Sequence, residues 1–260
     1  MSQPTLIDHI ETTRDGPTLI IRFARPEKKN ALTLAMYKRM TAALNEAAAD
    51  KTVRGVVFGS TSPIFTAGND LADFMQNQGV TTDSPVMRFL EALTTFEKPL
   101  IAAVDGKAIG LGLTMLLHCD LVYASDVTTF IAPFVSLGLV PEAASSLLLP
   151  RLAGHQRATE ILLLGEPIDA KAAHQIGLVN AVLPSAEVMP HALSIARRLA
   201  EKPPTALRLT KALLKSADTQ SITDRIVKEG THFADQLGSP EVAEAIGAFF
   251  EKRKPDFSKL

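Results

Sequence analysis

The chain has 260 residues, enough for one large domain or two small ones with a sizeable core. Hydrophobic residues make up 46% and charged ones 21%, an ordinary globular balance, and a formal charge of −1 leaves no basic excess for nucleic acid or an anionic membrane. One cysteine, Cys119, excludes an internal disulfide and a cysteine-built metal site, and no apolar run reaches the roughly 18 residues of a membrane span.

Residues 1–17 are polar and carry Asp8, Glu11 and Asp15, which argues against a signal or transit peptide. Residues 6–12 and 18–23 alternate around the turn signal Asp15-Gly16 and predict an opening hairpin. A polar loop at 25–30 follows. Thr33 can then cap a helix to about Ala49, on which Met36, Tyr37, Met40, Leu44 and Ala47 recur near helical spacing. Residues 53–58 predict a strand, and 64–71 (I-F-T-A-G-N-D-L) a glycine turn after it. Residues 72–83 read as polar and mobile, and 84–96 as an amphipathic helix.

Residues 98–125 form a strand over 99–104, a turn punctuated by Gly106, Gly110 and Gly112, a helix over 113–118 and a strand over 121–124. Pro141-Glu142 predicts the start of a helix running to about Leu152, with proline in its first turn. Helices are expected at 157–164, 170–176 and 186–200, with a short strand at 179–183. From Pro203 onward the pattern is helical: 204–217, 221–237 and 240–252. Strands alternating with helices, then helices alone, predict a layered α/β core with a helical C-terminal subdomain.

Glycines at strand-to-helix turns let backbone approach a ligand, and the free N–H groups of the helix start favour negative charge; tight packing alone accounts for them equally well. If the turns around Gly68 and Gly110 meet, the amides of Asn69 and Leu111 could share one oxygen as an oxyanion hole. Neither turn is a Walker A or a G-x-G-x-x-G fingerprint. Glu142, among apolar neighbours, either complements a helix dipole or, lining a pocket, has a raised pKa suited to proton transfer. No G-x-S-x-G or metal-binding histidine spacing is present, and His118 reads as a satisfied core histidine.

The motifs R-P-E-K-K-N-A-L at 25–32, F-T-A-G-N-D-L at 65–71, the 98–125 stretch closing in H-C-D-L-V-Y-A-S, and E-K-R-K-P-D-F at 251–257 resemble the crotonase (enoyl-CoA hydratase/isomerase) family, nearly end to end. The resemblance implies an α/β spiral of ββα units over 1–200 that binds acyl-CoA, and a helical oligomerisation subdomain over 201–260 forming a homotrimer or a dimer of trimers. It implies an acyl-CoA thioester substrate, no metal, and no cofactor beyond the CoA carried by the substrate. Asn69 and Leu111 would hold the thioester oxygen, in turns built on Gly68 and Gly110. Glu27, Lys28, Asn30, Ala67, Asp70 and Leu71 would hold the CoA moiety. Phe249 and Lys252 would close over the nucleotide from a neighbouring subunit. Asp120 would be structural.

Hydratases of the family use two acids, and the matching positions here are Thr114 and Phe134. The run P-F-V-S-L-G-L-V-P-E-A-A-S-S resembles instead the Δ3,Δ2-enoyl-CoA isomerase branch, whose single acid falls at Glu142. Phe134 and Leu137 suit a dry pocket in which one carboxylate moves a proton from C2 to C4. The resemblance therefore implies isomerisation of a 3-enoyl-CoA, in fatty-acid β-oxidation or related acyl-CoA degradation. The alternatives are a hydratase, an isomerase of ring-derived enoyl-CoA, and a non-catalytic acyl-CoA-binding protein. The terminal Ser258-Lys259-Leu260 matches a peroxisomal address, which would apply in a eukaryote; in a bacterium the protein would be cytoplasmic.

Overall fold

The computed structural model describes residues 2–76, 83–216 and 219–260. Among these, seven strands form one sheet in the order β1 (Thr5–Ile7), β2 (Ile10–Asp15), β3 (Thr18–Phe23), β4 (Gly55–Ser60), β5 (Leu100–Val104), β7 (Leu121–Ser125) and β10 (Ala181–Leu183). The first three are antiparallel; from β3 onward every pairing is parallel. Three shorter strands, β6 (Lys107–Ile109), β8 (Thr129–Ile131) and β9 (Ile168–Asp169), form a second sheet. The expected hairpin is thus a three-strand meander, because Asp8 and His9 adopt positive φ and turn the chain a second time.

The parallel strands read as unbroken apolar runs because helices cover both of their faces. Val57, Ile101, Ala103 and Tyr123 pack under Val188, Ala192 and Ala196 of α8 (Ser185–Ala200). The alternate residues Val56, Phe58, Ala102, Val104 and Val122 face the main core with α1 (Leu34–Ala49) and α3 (Pro85–Thr95). Thr33 caps α1 as expected, accepting from the Met36 amide. Ser84 does the same for α3, through the Met87 amide.

The region read as polar and mobile, 72–83, opens within α2 (Leu71–Gln76) and ends at Asp83; 77–82 lies outside the described residues. The helix expected over 113–118 is α4 (Leu111–Thr114), which tightens to a 3-10 turn over Met115–His118. Gly112 therefore lies inside it, and a Cβ there would stand 2.6 Å from Thr66 Cγ2, so this glycine serves close packing. The thiol of Cys119 is pushed up to about 12 by its burial and by the adjacent Asp120, although the residue as a whole is partly exposed.

The larger correction is at Pro141-Glu142. No helix starts there: α5 is Ser145–Ala153, and Ala143 and Ala144 before it are left-handed at φ 58° and 55°. That reversal keeps residues 141–144 out of the helical register, so Glu142 is not a first-turn acid. Beyond it, α6 (His155–Thr159) passes into a π turn at Glu160–Leu164, and α7 (Ala170–Gln175) precedes β10. The last helices are α9 (Pro204–Ser216), α10 (Thr219–Leu237) and α11 (Pro240–Glu251). Ile226, Phe233, Val242 and Ile246 join the main core. Asp120 ties α9 to the sheet: its Oδ2 accepts from the Leu100 amide at 2.7 Å and lies 2.7 Å from Lys211 Nζ. No described helix is long and apolar enough to cross a membrane.

Candidate active site

Two loops distant in sequence run side by side. The Leu32 amide donates to Gly68 O, the Asp70 amide to Leu32 O and the Ala67 amide to Lys29 O, all within 3.0 Å. Thr66 Oγ1 donates to Asn30 O at 2.7 Å. Asn30 is fully buried: its Oδ1 accepts from the Arg25 amide and its Nδ2 donates to Ile64 O, each at 2.7 Å. Its side chain, carbonyl and amide are therefore all spent on the two loops, the amide donating to Arg25 O at 2.9 Å. Arg25 reaches Asp70 at 2.6 Å; burial opposes the charged carboxylate, but Arg25 and the Ala72 and Asp73 amides hold its pKa below the usual value. The structure thus brings Glu27, Lys28 and Asn30 together with Ala67, Gly68, Asp70 and Leu71. Glu27 and Lys28 are exposed.

The second glycine turn packs against the first. Gly68 lies at φ 84°, and a Cβ on it would approach Ile109 O to 2.9 Å and Gly110 Cα to 3.8 Å. Gly110, at φ 56°, donates its amide to Ile131 O and opens α4. Among the described residues, the amides of Asn69 and Leu111 have no backbone acceptor, as expected for an N-terminal helical amide at Leu111. The Asn69 side chain is held by the hydroxyl of fully buried Tyr37, which donates to its Oδ1.

Glu142 completes the cluster. It is 7% exposed, and Thr114 Oγ1, one turn along α4 from Leu111, donates to its Oε1 at 3.1 Å. Burial, set against the Thr114 bond and reinforced by the Glu229 charge, raises its pKa to about 7. Tyr37 is pushed well above its ordinary value by burial and by the Glu142 charge, which ties the Asn69 turn electrostatically to this acid. A small cavity of about 20 Å³ opens at Glu142, walled by Val86 and Leu90 of α3 and Ile226 and Phe233 of α10. Glu142 is the one acid among the described residues that line it. A larger cavity, about 330 Å³, is bordered by Cys119, Asp120, Arg151 and Asn180. Its polar groups are occupied by the fold, Asp120 as above and Asn180 Oδ1 by the Val122 amide. Glu142 is therefore the candidate acid of this site.

Phe134 is buried in the core, and Leu137 is partly buried against it. Phe249 and Lys252 stand exposed where α11 ends, with Lys252 the left-handed cap. His118 is a satisfied core histidine, as read: its Nε2 donates to Ala143 O at 2.8 Å, and burial, partly offset by that bond, lowers its pKa to about 4. Sequence reasoning missed Tyr37 and Glu229. Tyr37 was legible only as an apolar helix position. Glu229 sits on α10, 87 residues beyond Glu142, with no local pattern to mark it. Its Oε2 accepts from the Ala144 amide at 2.6 Å and its Oε1 from the Ser146 amide at 3.0 Å.

The pattern of the family described as "Enoyl-CoA hydratase/isomerase" matches residues 14–259. Enoyl-CoA delta isomerase 2 of Rattus norvegicus is 35% identical over 95% of this chain, which spans 64% of that protein's length. The 2,3-dehydroadipyl-CoA hydratase of Escherichia coli is 33% identical, covering 94% of this chain and 96% of its own. Among solved structures, Pseudomonas aeruginosa OdaA superposes with a TM-score of 0.92 at 45% identity, covering 94% of this chain and 99% of that one. The chain belongs to the crotonase, or enoyl-CoA hydratase/isomerase, family of acyl-CoA enzymes.

Proposed function

We propose that this enzyme moves the double bond of a 3-enoyl-CoA to the trans-2 position, with Glu142 as its single proton carrier. The observation that carries this reading is a buried acid with a pKa near 7, bonded to a threonine and sharing the described cavity lining with no second carboxylate. Hydration needs a water held between two acids, and Thr114 cannot exchange a proton in that role. Migration needs one. Glu142 takes the proton from C2, the C–H pair enters the thioester, and the oxygen becomes an enolate between the amides of Asn69 and Leu111. Glu142 then returns the proton to C4, leaving the double bond between C2 and C3. A carboxylate with a pKa near the working pH is matched to both half-steps, and an apolar wall discourages misprotonation by water.

The paired loops with Glu27, Lys28, Asn30, Ala67, Asp70 and Leu71 would grip the CoA moiety largely through backbone atoms. Phe134 and Leu137 would border the acyl chain. Exposed Leu209, Leu213 and Leu214 on α9, with Phe249, support self-association as a trimer or pair of trimers, in which Phe249 and Lys252 reach a neighbour's nucleotide. The names of relatives support both family reactions, so the test compares them directly. Initial rates are measured with a 3-enoyl-CoA and with crotonyl-CoA, for wild type and Glu142→Gln. Expected are faster isomerisation than hydration and a loss of about 10²–10⁴-fold in isomerase kcat in the variant, with acyl-CoA still bound. Faster hydration, or a variant that keeps its turnover, overturns the reading.

A further inference from the structure

The acid assigned to proton transfer sits just before a backbone turn that alanine disfavours. Ala143 and Ala144 are both left-handed, and α5, which starts at Ser145, has no side-chain cap of its own. Contacts from two other elements hold this turn. On one side His118, at the end of the 3-10 turn after α4, donates from Nε2 to Ala143 O at 2.8 Å. On the other, Glu229 of α10 receives the Ala144 amide at 2.6 Å, the Ser146 amide at 3.0 Å and the Ser146 hydroxyl. Arg225, one helical turn before Glu229, donates to the same hydroxyl at 3.2 Å. Glu229 is 5% exposed, so both of its oxygens are committed to this turn in a desolvated setting.

The same face of α10 builds the cavity wall. Ile226, Glu229, Gly230 and Phe233 follow at i, i+3, i+4 and i+7, and all but Glu229 line the cavity at Glu142. One helix therefore sets both the wall facing the acid and the backbone that aims it.

We infer that Glu229 is a positioning residue for Glu142: as a carboxylate cap supplied by a distant helix, it fixes the left-handed turn that points the proton-carrying acid into the cavity. This rests on the single-carboxylate reading above. Glu229 is not a second proton donor to substrate, because both its oxygens are turned to the start of α5. Its charge also acts on Glu142, whose pKa it raises. The groups acting on Glu142 are Tyr37 from α1, Thr114 from α4 and Glu229 from α10, while Arg225 acts on Glu229 and Ser146 and His118 bonds Ala143 O. The α3 wall contributes only Val86, Met87 and Leu90.

The test is the kcat–pH profile and the separate kcat and KM of Glu229→Gln and Glu229→Asp, beside Glu142→Gln, on a 3-enoyl-CoA. Glutamine keeps the shape but removes the charge and turns an N–H₂ toward donors. It is expected to lower kcat by about 10- to 100-fold with KM little changed, the size of a loss from misplaced reacting groups. Glu142 acts ionised, so activity rises with pH through its pKa. Removing a facing negative charge lowers that pKa, and the acid limb moves to lower pH. Aspartate keeps the charge at shorter reach: kcat is expected to fall while the limb stays in place. That variant also carries the test should Glu229→Gln fail to fold. Wild-type kcat and an unmoved limb in both Glu229 variants, with Glu142→Gln inactive, overturn the positioning role and leave the proposed reaction standing. Full turnover by Glu142→Gln overturns the reaction itself.

Discussion

Glu142 is held where its charged form costs stability. Its folded pKa of about 7 exceeds the ordinary 4.5, so the folded state binds a proton that the unfolded chain has released. The corresponding stabilisation is fully present below about pH 4.5 and is lost as pH rises through about 7. Above that, the wild type carries a penalty on the order of 3 kcal/mol at this one side chain. Glu142→Gln removes it while still accepting from Thr114. Chemical denaturation should therefore find the variant more stable than wild type at pH 8, with the gap closing toward pH 4.5. A gap independent of pH would mean that burial does not perturb this acid. His118 slopes the other way: its lowered pKa, about 4, gives stability present above about 6.5 and lost as pH falls through 4. Between pH 7 and 4 the two residues offset one another in the wild type, and the Gln variant should show the histidine's acid lability uncovered. The two left-handed alanines beside Glu142 add roughly 1–2 kcal/mol of strain each. A well-packed protein carries such costs where geometry serves function.

At the scale of elements, the site is a meeting of two glycine turns, one helix start and a clamped turn, and each is braced from elsewhere. α9 is braced by Asp120, which accepts from the Leu100 amide at 2.7 Å and pairs with Lys211 and Lys215. Burial draws the Lys211 pKa down to about 8 even with Asp120 beside it, so this ammonium has little water to fall back on. Asp120→Ala should cost about 3 kcal/mol in urea unfolding, the usual loss when one partner of a buried pair is removed. A change under about 0.5 kcal/mol, the level of an exposed surface substitution, would show that α9 is held by apolar contacts alone. Most strands of the larger sheet, α1 with its Thr33 cap and both glycine turns were legible because their signals are local: apolar runs, a capping residue, a missing Cβ. The three short strands β6, β8 and β9 carry no such run and were not. The start of α5 was misread for the same reason. Pro141-Glu142 looks like a first turn, and what cancels it is a carboxylate from α10, which no local pattern reports.

For the whole molecule, the exposed leucines of α9 remain to be covered. Leu209, Leu213 and Leu214 are 52%, 75% and 81% exposed, on a helix whose other side is fixed to the sheet by Lys211. An assembly that buries them predicts that Leu213→Glu with Leu214→Glu yields a single-chain mass in sedimentation, where the wild type sediments as a trimer or larger. A wild type already monomeric would remove the assembly from the proposal.

The sequence by itself determined the family, the paired loops and the identity of the candidate acid, because motif residues are read in order along the chain. Composition fixed that the chain could bury a sizeable core and that one cysteine could not build a metal site. Only the tertiary structure decided that the Gly68 and Gly110 turns pack together with no room for a Cβ on Gly68, that Tyr37 secures Asn69, and that Glu142 leaves the helix it was expected to begin. The reason is physical: a pKa near 7 and a left-handed turn are properties of surroundings. The surroundings of Glu142 come from α1, α3, α4 and α10, brought together by the burial of apolar surface on the two faces of one sheet.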